Sequence, residues 1–391
     1  MTLLLGNRNG IFRAAPIAYT PRPQSIVAAD FDGDKIKDVA VVNEDPNSRS
    51  KGSVTVLTGT GKGYFAASHV YPISLPHGTL SAGDVNGDGH VDLVVTRNTI
   101  PGVLGGPPSG TTDTVVLLGN GDGTFRPPEN YVLLGSVTDD NNTAYLVDVN
   151  RDRTLDLVGD WGVALGNGDG TFRPPIPLPS SLTYIAQIVH GDLNRDGKED
   201  LVVLGSDTAN APLVWILLGN GMGAFHVASK ESIANPVGAL ALEDLNGDGK
   251  LDLIYTTFGA FNAINKRNAV NVRLGHGDGT LGTVKAFPTD LFGTGLVTAD
   301  FNRDGFADVA IAGGFDFSIG FIRLLRGNGD GTLTLSGPAY VDGYQSARSL
   351  IFGTNADGAT MLALDINGDG APDILDLTTL GVERLVNTSK R

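Results

Sequence analysis

Seven copies of a nine-residue aspartate loop, six copies of a glycine-rich turn and an aliphatic run after the loops predict an all-β chain. The expected architecture is a seven-bladed β-propeller of four-stranded antiparallel blades, the last closed by the N-terminal strand. The loops are DFDGDKIKD from Asp30, DVNGDGHVD from Asp84, DVNRDRTLD from Asp148, DLNRDGKED from Asp192, DLNGDGKLD from Asp244, DFNRDGFAD from Asp300 and DINGDGAPD from Asp365. Their starts lie 54, 64, 44, 52, 56 and 65 residues apart, so one constant unit is joined by variable connections. The turns downstream are VLTGTGKGYF, VLLGNGDGTF, VALGNGDGTF, ILLGNGMGAF, VRLGHGDGTL and LLRGNGDGTL.

Each unit reads as four strands. An apolar stretch entering the loop (SIVAAD, TLSAGD, IVHGD, LALED) is strand A. The run after the ninth residue (VAVV, LVVT, LVVL, LIYT, VAIA) is strand B, apolar on both faces as a strand between two neighbouring sheets must be. The run ending in LLGN is strand C, and its glycine-rich turn leads into strand D. One such unit is too small to bury its own core, which favours a ring over a linear array of separate β-domains. The expected blades are 22–73, 74–136, 137–182, 183–234, 235–290, 291–343, and 344–391 completed by 1–21, in a single domain 1–391.

The termini fit closure. The seventh unit has its loop (Asp365–Asp373), strand B (Ile374–Leu377) and strand C (Val382–Val386), then stops. The N-terminus, LLLGNRNGIF followed by IAY, is the tail of a repeat without a head, so residues near Phe12–Tyr19 are expected to supply the missing outer strand. Thr2–Leu5 and Val382–Val386 both read as strand C. A start in mid-repeat suggests a chain cut from a longer protein.

Apolar residues make up 41% of the 391, enough for a sizeable core, and 54 glycines without collagen periodicity imply many tight turns. There is no cysteine, which excludes disulfides and thiolate metal sites. A net charge of −15 argues against nucleic acid or an anionic membrane as partner. No run of 18 apolar residues is present, and MTLLLGNRNG is too short and polar for a signal peptide, so the expectation is a soluble chain without membrane insertion.

The loops carry the chemistry. Calcium takes six to eight oxygen ligands. Oxygens at positions 1, 3 and 5 wrap around one point, position 7 offers its backbone carbonyl, and glycine at position 6 permits the turn. The expected ligands are Asp30, Asp32, Asp34, Ile36 and Asp38; Asp84, Asn86, Asp88, His90 and Asp92; Asp148, Asn150, Asp152, Thr154 and Asp156; and Asp192, Asn194, Asp196, Lys198 and Asp200. The last three sets are Asp244, Asn246, Asp248, Lys250 and Asp252; Asp300, Asn302, Asp304, Phe306 and Asp308; and Asp365, Asn367, Asp369, Ala371 and Asp373. An EF-hand needs flanking helices and Glu at position 12, where this chain has Val41, Val95, Gly159, Val203, Tyr255, Ile311 and Asp376. Position 9 therefore provides the closing carboxylate, in bidentate fashion. Magnesium resists so dehydrated and flexible a cage.

Aspartates of the loops make up 22 of the 43 acidic residues, and seven calcium ions would bring −15 to −1. Lys35 and Arg153 stand where other loops have glycine at position 6, and the third loop, which lacks the compensating Asp32 of the first, is expected to bind most weakly.

The paired motifs resemble the FG-GAP/VCBS repeats of integrin α-chain propellers and many bacterial exported proteins, over nearly the whole chain. The resemblance implies calcium in the A–B loops of one face, with ligands meeting the B–C and D–A loops of the other. The expected function is a monomeric binding and adhesion module for a carbohydrate or protein ligand, and extracellular calcium, which would fill even weak sites, suggests an extracellular, cell-surface or periplasmic place. The alternative is a polysaccharide-active enzyme of lyase type, or a lectin, on the same scaffold; the non-catalytic reading is preferred. Ligand-face candidates are His77, Tyr184, Arg22, Arg97, Lys266 and Arg267, whose ordinary reading is as solvated loop residues. Phe258, Phe261, Phe315 and Phe317 lie in long B–C connections, where they either stack on a ligand or tuck over the blade, and Trp161 in the shortest B–C turn is open to the same two readings. The histidines show no zinc spacing, and the GNGDGT turns lack the phosphate-loop patterns.

Overall fold

The computed structural model describes residues 4–7, 11–18, 22–45, 47–48, 50–75, 78–99, 111–133, 144–182, 184–206, 212–233, 237–257, 268–314, 320–341, 361–378 and 381–385. They form 28 strands in seven antiparallel sheets, with no helix among the described residues. β1 (Leu4–Asn7) and β2 (Ile11–Ala18) open the chain but belong to the last sheet. The first sheet is β3 (Pro23–Ala29), β4 (Asp38–Glu44), β5 (Gly52–Gly59) and β6 (Phe65–Ile73), the second β7 (Thr79–Gly83), β8 (Asp92–Thr99), β9 (Thr111–Leu117) and β10 (Glu129–Leu133). The third is β11 (Ala144–Val147), β12 (Asp156–Gly159) and β13 (Gly162–Ala164). The fourth is β14 (Tyr184–Gly191), β15 (Asp200–Ser206), β16 (Pro212–Gly219) and β17 (Phe225–Ser232), the fifth β18 (Val237–Glu243), β19 (Asp252–Thr257), β20 (Asn268–Arg273) and β21 (Lys285–Thr289). The sixth is β22 (Phe292–Ala299), β23 (Asp308–Gly314), β24 (Gly320–Gly327) and β25 (Leu333–Val341). The seventh runs β26 (Met361–Leu364), β27 (Asp373–Thr378) and β28 (Gly381–Leu385), then β2 and β1.

Burial explains the strand chemistry. Every residue of β15 and β19 is buried, as a strand covered on both faces requires. The outer β17 is largely exposed and polar. Seven apolar clusters each span two consecutive sheets: Val54, Val56 and Phe31 of the first meet Leu80, Leu93 and Phe125 of the second. The last cluster sets Ile26, Val39 and Val41 of the first sheet against Ile366 and Leu375 of the seventh. The architecture is all-β and propeller-like.

Two expectations about strand number are corrected. The third sheet has three strands, because the stretch expected as its outer strand, Phe172-Arg173-Pro174-Pro175-Ile176-Pro177, makes only isolated bridges from Phe172 and Ile176. Prolines lack the N–H that a ladder needs. The seventh sheet has five. β2 supplies the outer strand as expected, pairing Ala14 with Leu385, while β28 is strand C and β1 lies outside β2. That resolves the double claim on strand C.

The end of strand C runs tight against the residue before strand B of the same sheet. A Cβ on Gly119 would sit 2.3 Å from the Val91 carbonyl oxygen, and one on Gly275 2.1 Å from that of Leu251. Gly87, with φ +76, has nothing within 4 Å of its Cβ position. Gly119→Ala is therefore expected to destabilise the chain by about 2–4 kcal/mol, and Gly87→Ala by only about 1 kcal/mol, the left-handed backbone cost. Denaturant melts in chelator check this ranking.

Candidate metal centre

Each aspartate loop joins strand A to strand B, so all the loops lie at one end of the sheets. In the fifth, Asp244 Oδ1 accepts the N–H groups of Gly247 (2.8 Å) and Asp248 (3.2 Å), and its Oδ2 that of Gly249 (2.8 Å). Asn246 Oδ1 accepts from Asp248 N (3.0 Å) and Asp248 Oδ1 from Lys250 N (3.0 Å). Successive side-chain oxygens thus fold the backbone around themselves, an Asx-turn series that brings alternate oxygens to one side. In the first loop, oxygens of Asp30, Asp32 and Asp38 lie within 4.8 Å of one another.

Two backbone positions in the loop are left-handed. Position 6 is so even where it is not glycine, at Lys35 (φ 69) and Arg153 (φ 72). Position 4 is too: Gly33, Gly87, Gly247 and Gly368 there have φ of 70–81, and Arg151, Arg195 and Arg303 have 61–63. The sequence reading assigned the requirement to position 6 alone.

Position 9 carries a second duty that the sequence did not disclose. Asp38, buried, accepts the N–H of Phe31 on Oδ2 and of Gly59 on Oδ1, each at 2.8 Å. It thereby ties loop position 2 to the end of strand C. Asp92, Asp156, Asp200, Asp252 and Asp308 make the same pair of bonds, to Val85 and Gly119, Val149 and Gly166, Leu193 and Gly219, Leu245 and Gly275, and Phe301 and Gly327. Asp373 accepts from Ile366 at 3.0 Å. The carbonyl of position 2 then accepts from a turn of the following sheet: Gly123 N to Phe31 O (3.0 Å), Gly170 to Val85 (3.1 Å) and Gly279 to Leu193 (3.2 Å). Gly63 of the first sheet donates to Ile366 of the seventh at 3.3 Å.

The donor set suits a hard divalent cation. All side-chain donors are carboxylate or amide oxygens, and a carboxylate oxygen accepting one N–H keeps a lone pair for an ion. The electrostatics point the same way. Burial pushes Asp38, Asp92, Asp156, Asp200 and Asp252 above the usual carboxylate range, with neighbouring loop aspartates adding to it. Asp308 is pushed up to about 6, again by burial first. At position 5 the direction reverses: Lys198 Nζ, 2.7 Å from Asp196 Oδ2, and Lys250 Nζ, 2.9 Å from Asp248 Oδ2, hold those carboxyls down.

The expected ligand-face residues that lie among the described ones are not gathered into a site. Arg22 is exposed beside Glu44 (3.5 Å), Arg97 is half-buried in β8, and Tyr184 opens β14, on three different sheets. Trp161 is 2% exposed and packs with Val94, Val116 and Leu157, so its place is the core between the second and third sheets. Neighbours from both sheets close over the indole, and they decide its place. His77, Phe258, Phe261, Lys266, Arg267, Phe315 and Phe317 lie outside the described residues. His190 pairs with Glu199 at 2.9 Å and His276 with Thr280 at 2.9 Å, consistent with structural roles. No helix among the described residues is long and apolar enough to cross a membrane.

A carboxyl whose folded pKa is raised keeps its proton in the native chain over a range where the unfolded chain has lost it, so its contribution falls as pH rises through that range. For Asp308 the range runs from about 4 to about 6. In chelator the melting temperature should therefore fall from pH 4 to 6.5, and Asp308→Asn should flatten that slope. Excess calcium should reverse it, because metal ligands must be deprotonated.

Among solved structures, the chain is similar to an arginine-to-alanine triple mutant of AofleA from Arthrobotrys oligospora, with 11% identity and a TM-score of 0.46 over 84% of this chain and 88% of that one. No curated protein matches the chain. A family model described as FG-GAP-like repeat matches residues 30–95, 192–255 and 244–311. Those segments include the first two loops and the fourth to sixth, and over them the chain is similar to FG-GAP-like repeats.

Proposed function

We propose that the chain is a closed, seven-bladed propeller that holds up to seven calcium ions, one per blade, and serves as an exported binding and adhesion module. The proposed blades are those laid out from the sequence, the last completed by the N-terminal strands. Closure is supported by the contact of the first sheet with the seventh and by the bond from Gly63 to Ile366. The observation that carries the calcium reading is the seven-fold recurrence of one oxygen-lined loop whose ninth-position carboxylate is buried. Buried carboxylates at the edge of an acidic loop are costly unless a cation offsets them.

Calcium would then be structural. It would be held by the oxygens at positions 1, 3, 5 and 9 and the carbonyl at 7, and the same ninth residue anchors the sheet-to-sheet bonds. Loading would stiffen each junction and present the connections at the opposite end as a rigid surface. The proposed ligand is a carbohydrate or a protein met by that surface. Export would suit such loops, since extracellular calcium fills even sites of the weak, millimolar class that cytosolic levels leave bare.

Metal analysis of the purified chain should find calcium in a ratio approaching seven, and chelator should lower the melting temperature by roughly ten degrees or more. A preparation that binds no calcium sinks the reading. A panel of glycans and uronic-acid polymers, assayed for binding and for cleavage with and without chelator, tests the module itself. Retention without cleavage supports it, and calcium-dependent turnover would move the assignment to a lyase.

A further inference from the structure

The loops come in two versions at position 4, and the difference reaches beyond the loop. Arg151, Arg195 and Arg303 hold that position in left-handed backbone, which costs a side-chain-bearing residue energy that glycine avoids. Each side chain extends to the neighbouring repeat. Arg151 Nη2 lies 2.1 Å from the Cβ position of Gly197 in the fourth loop, and Arg195 Cδ 3.1 Å from that of Gly277 in the turn of the fifth sheet. Arg303 makes two bonds: its Nη2 donates to Asp369 Oδ1 at 2.8 Å and to the Asp369 carbonyl oxygen at 2.5 Å.

Asp369 is position 5 of the seventh loop, and its Oδ1 also accepts the Ala371 N–H at 2.9 Å. In the fourth and fifth loops the position-5 carboxylate is paired within its own loop, by Lys198 or Lys250 at position 7. The seventh loop has Ala371 there, and its cation comes from the loop before. The Arg303 side chain is 22% exposed, and its planar fork of donors suits a carboxylate and a carbonyl together.

We propose that Arg303 is a cationic latch on the seventh loop. In the calcium-free chain it holds Asp369 across the junction of the sixth and seventh sheets. As calcium arrives it competes for the same oxygen, so the seventh loop fills late. This rests on the calcium reading of the loops and adds an order of filling to it. A positive charge bonded to that oxygen opposes a divalent ion there, and with full solvent screening the effect is about tenfold. Coupling is reciprocal, so an ion in the seventh loop loosens the latch it displaces, and the junction passes from arginine to calcium.

Calorimetric calcium titration of the full chain tests this. Arg303→Gly matches position 4 of four other loops and relieves the left-handed backbone; Arg303→Gln keeps length and donors without charge, should glycine disturb the fold. Either should tighten one site about tenfold and leave the rest unchanged, and adding Asp369→Asn should remove the tightened site. In chelator the variants should melt below wild type, and in excess calcium with it. An unchanged site profile, or a weakened site, overturns the latch while leaving calcium binding intact. A wild-type chain that takes up no calcium overturns both.

Discussion

The ninth-position aspartate is the constraint on which the rest of the structure depends. In six repeats its two oxygens take two backbone N–H groups, one from the second residue of the loop and one from the glycine that ends strand C. Hydrogen bonds to an ionised group are the stronger kind, about 1.5–3 kcal/mol each. They offset only part of the cost of burial, since the carboxyls remain raised. The loop is thus held in a shape that has oxygens to spare and charge to neutralise, which is the condition a bound cation satisfies.

The same carboxylate organises the contacts between sheets. It binds the N–H of position 2, whose carbonyl faces the next repeat's turn and whose side chain is buried at Phe31, Val85, Val149, Leu193, Leu245, Phe301 and Ile366. At Phe31, Val85, Leu193 and Ile366 both backbone groups of the residue are therefore used, one within the repeat and one across the junction, while the apolar side chain fills the space between sheets. No sheet is self-sufficient: each contributes half of two clusters. Charge pairs reinforce some junctions, with Arg273 and Glu231 joining the fifth sheet to the fourth and Arg323 and Asp290 the sixth to the fifth. Such a frame is suited to holding a surface still at its far end, as the proposed binding role requires.

Much of this was legible before any coordinates. Strand B was readable because a strand covered on both faces must be apolar throughout, as β15 and β19 are. The glycine turns were recognisable as turns because left-handed residues such as Gly121 and Gly123 recur two apart. The third sheet's outer strand was overcalled, because repeat logic outweighed the prolines at 174, 175 and 177. Trp161 stayed ambiguous because a two-residue turn can present an indole or bury it, and only its neighbours decide.

The sequence by itself determined the number of repeats, the strand order within them and the oxygen chemistry of the loops, because each of these is written in residues close together along the chain. The tertiary structure alone decided the register of β2 on β28, the ninth aspartate's second duty and the reach of Arg303 to Asp369. Those contacts join residues tens to hundreds of positions apart, and a carboxylate or guanidinium has no partner until packing brings one within hydrogen-bond distance.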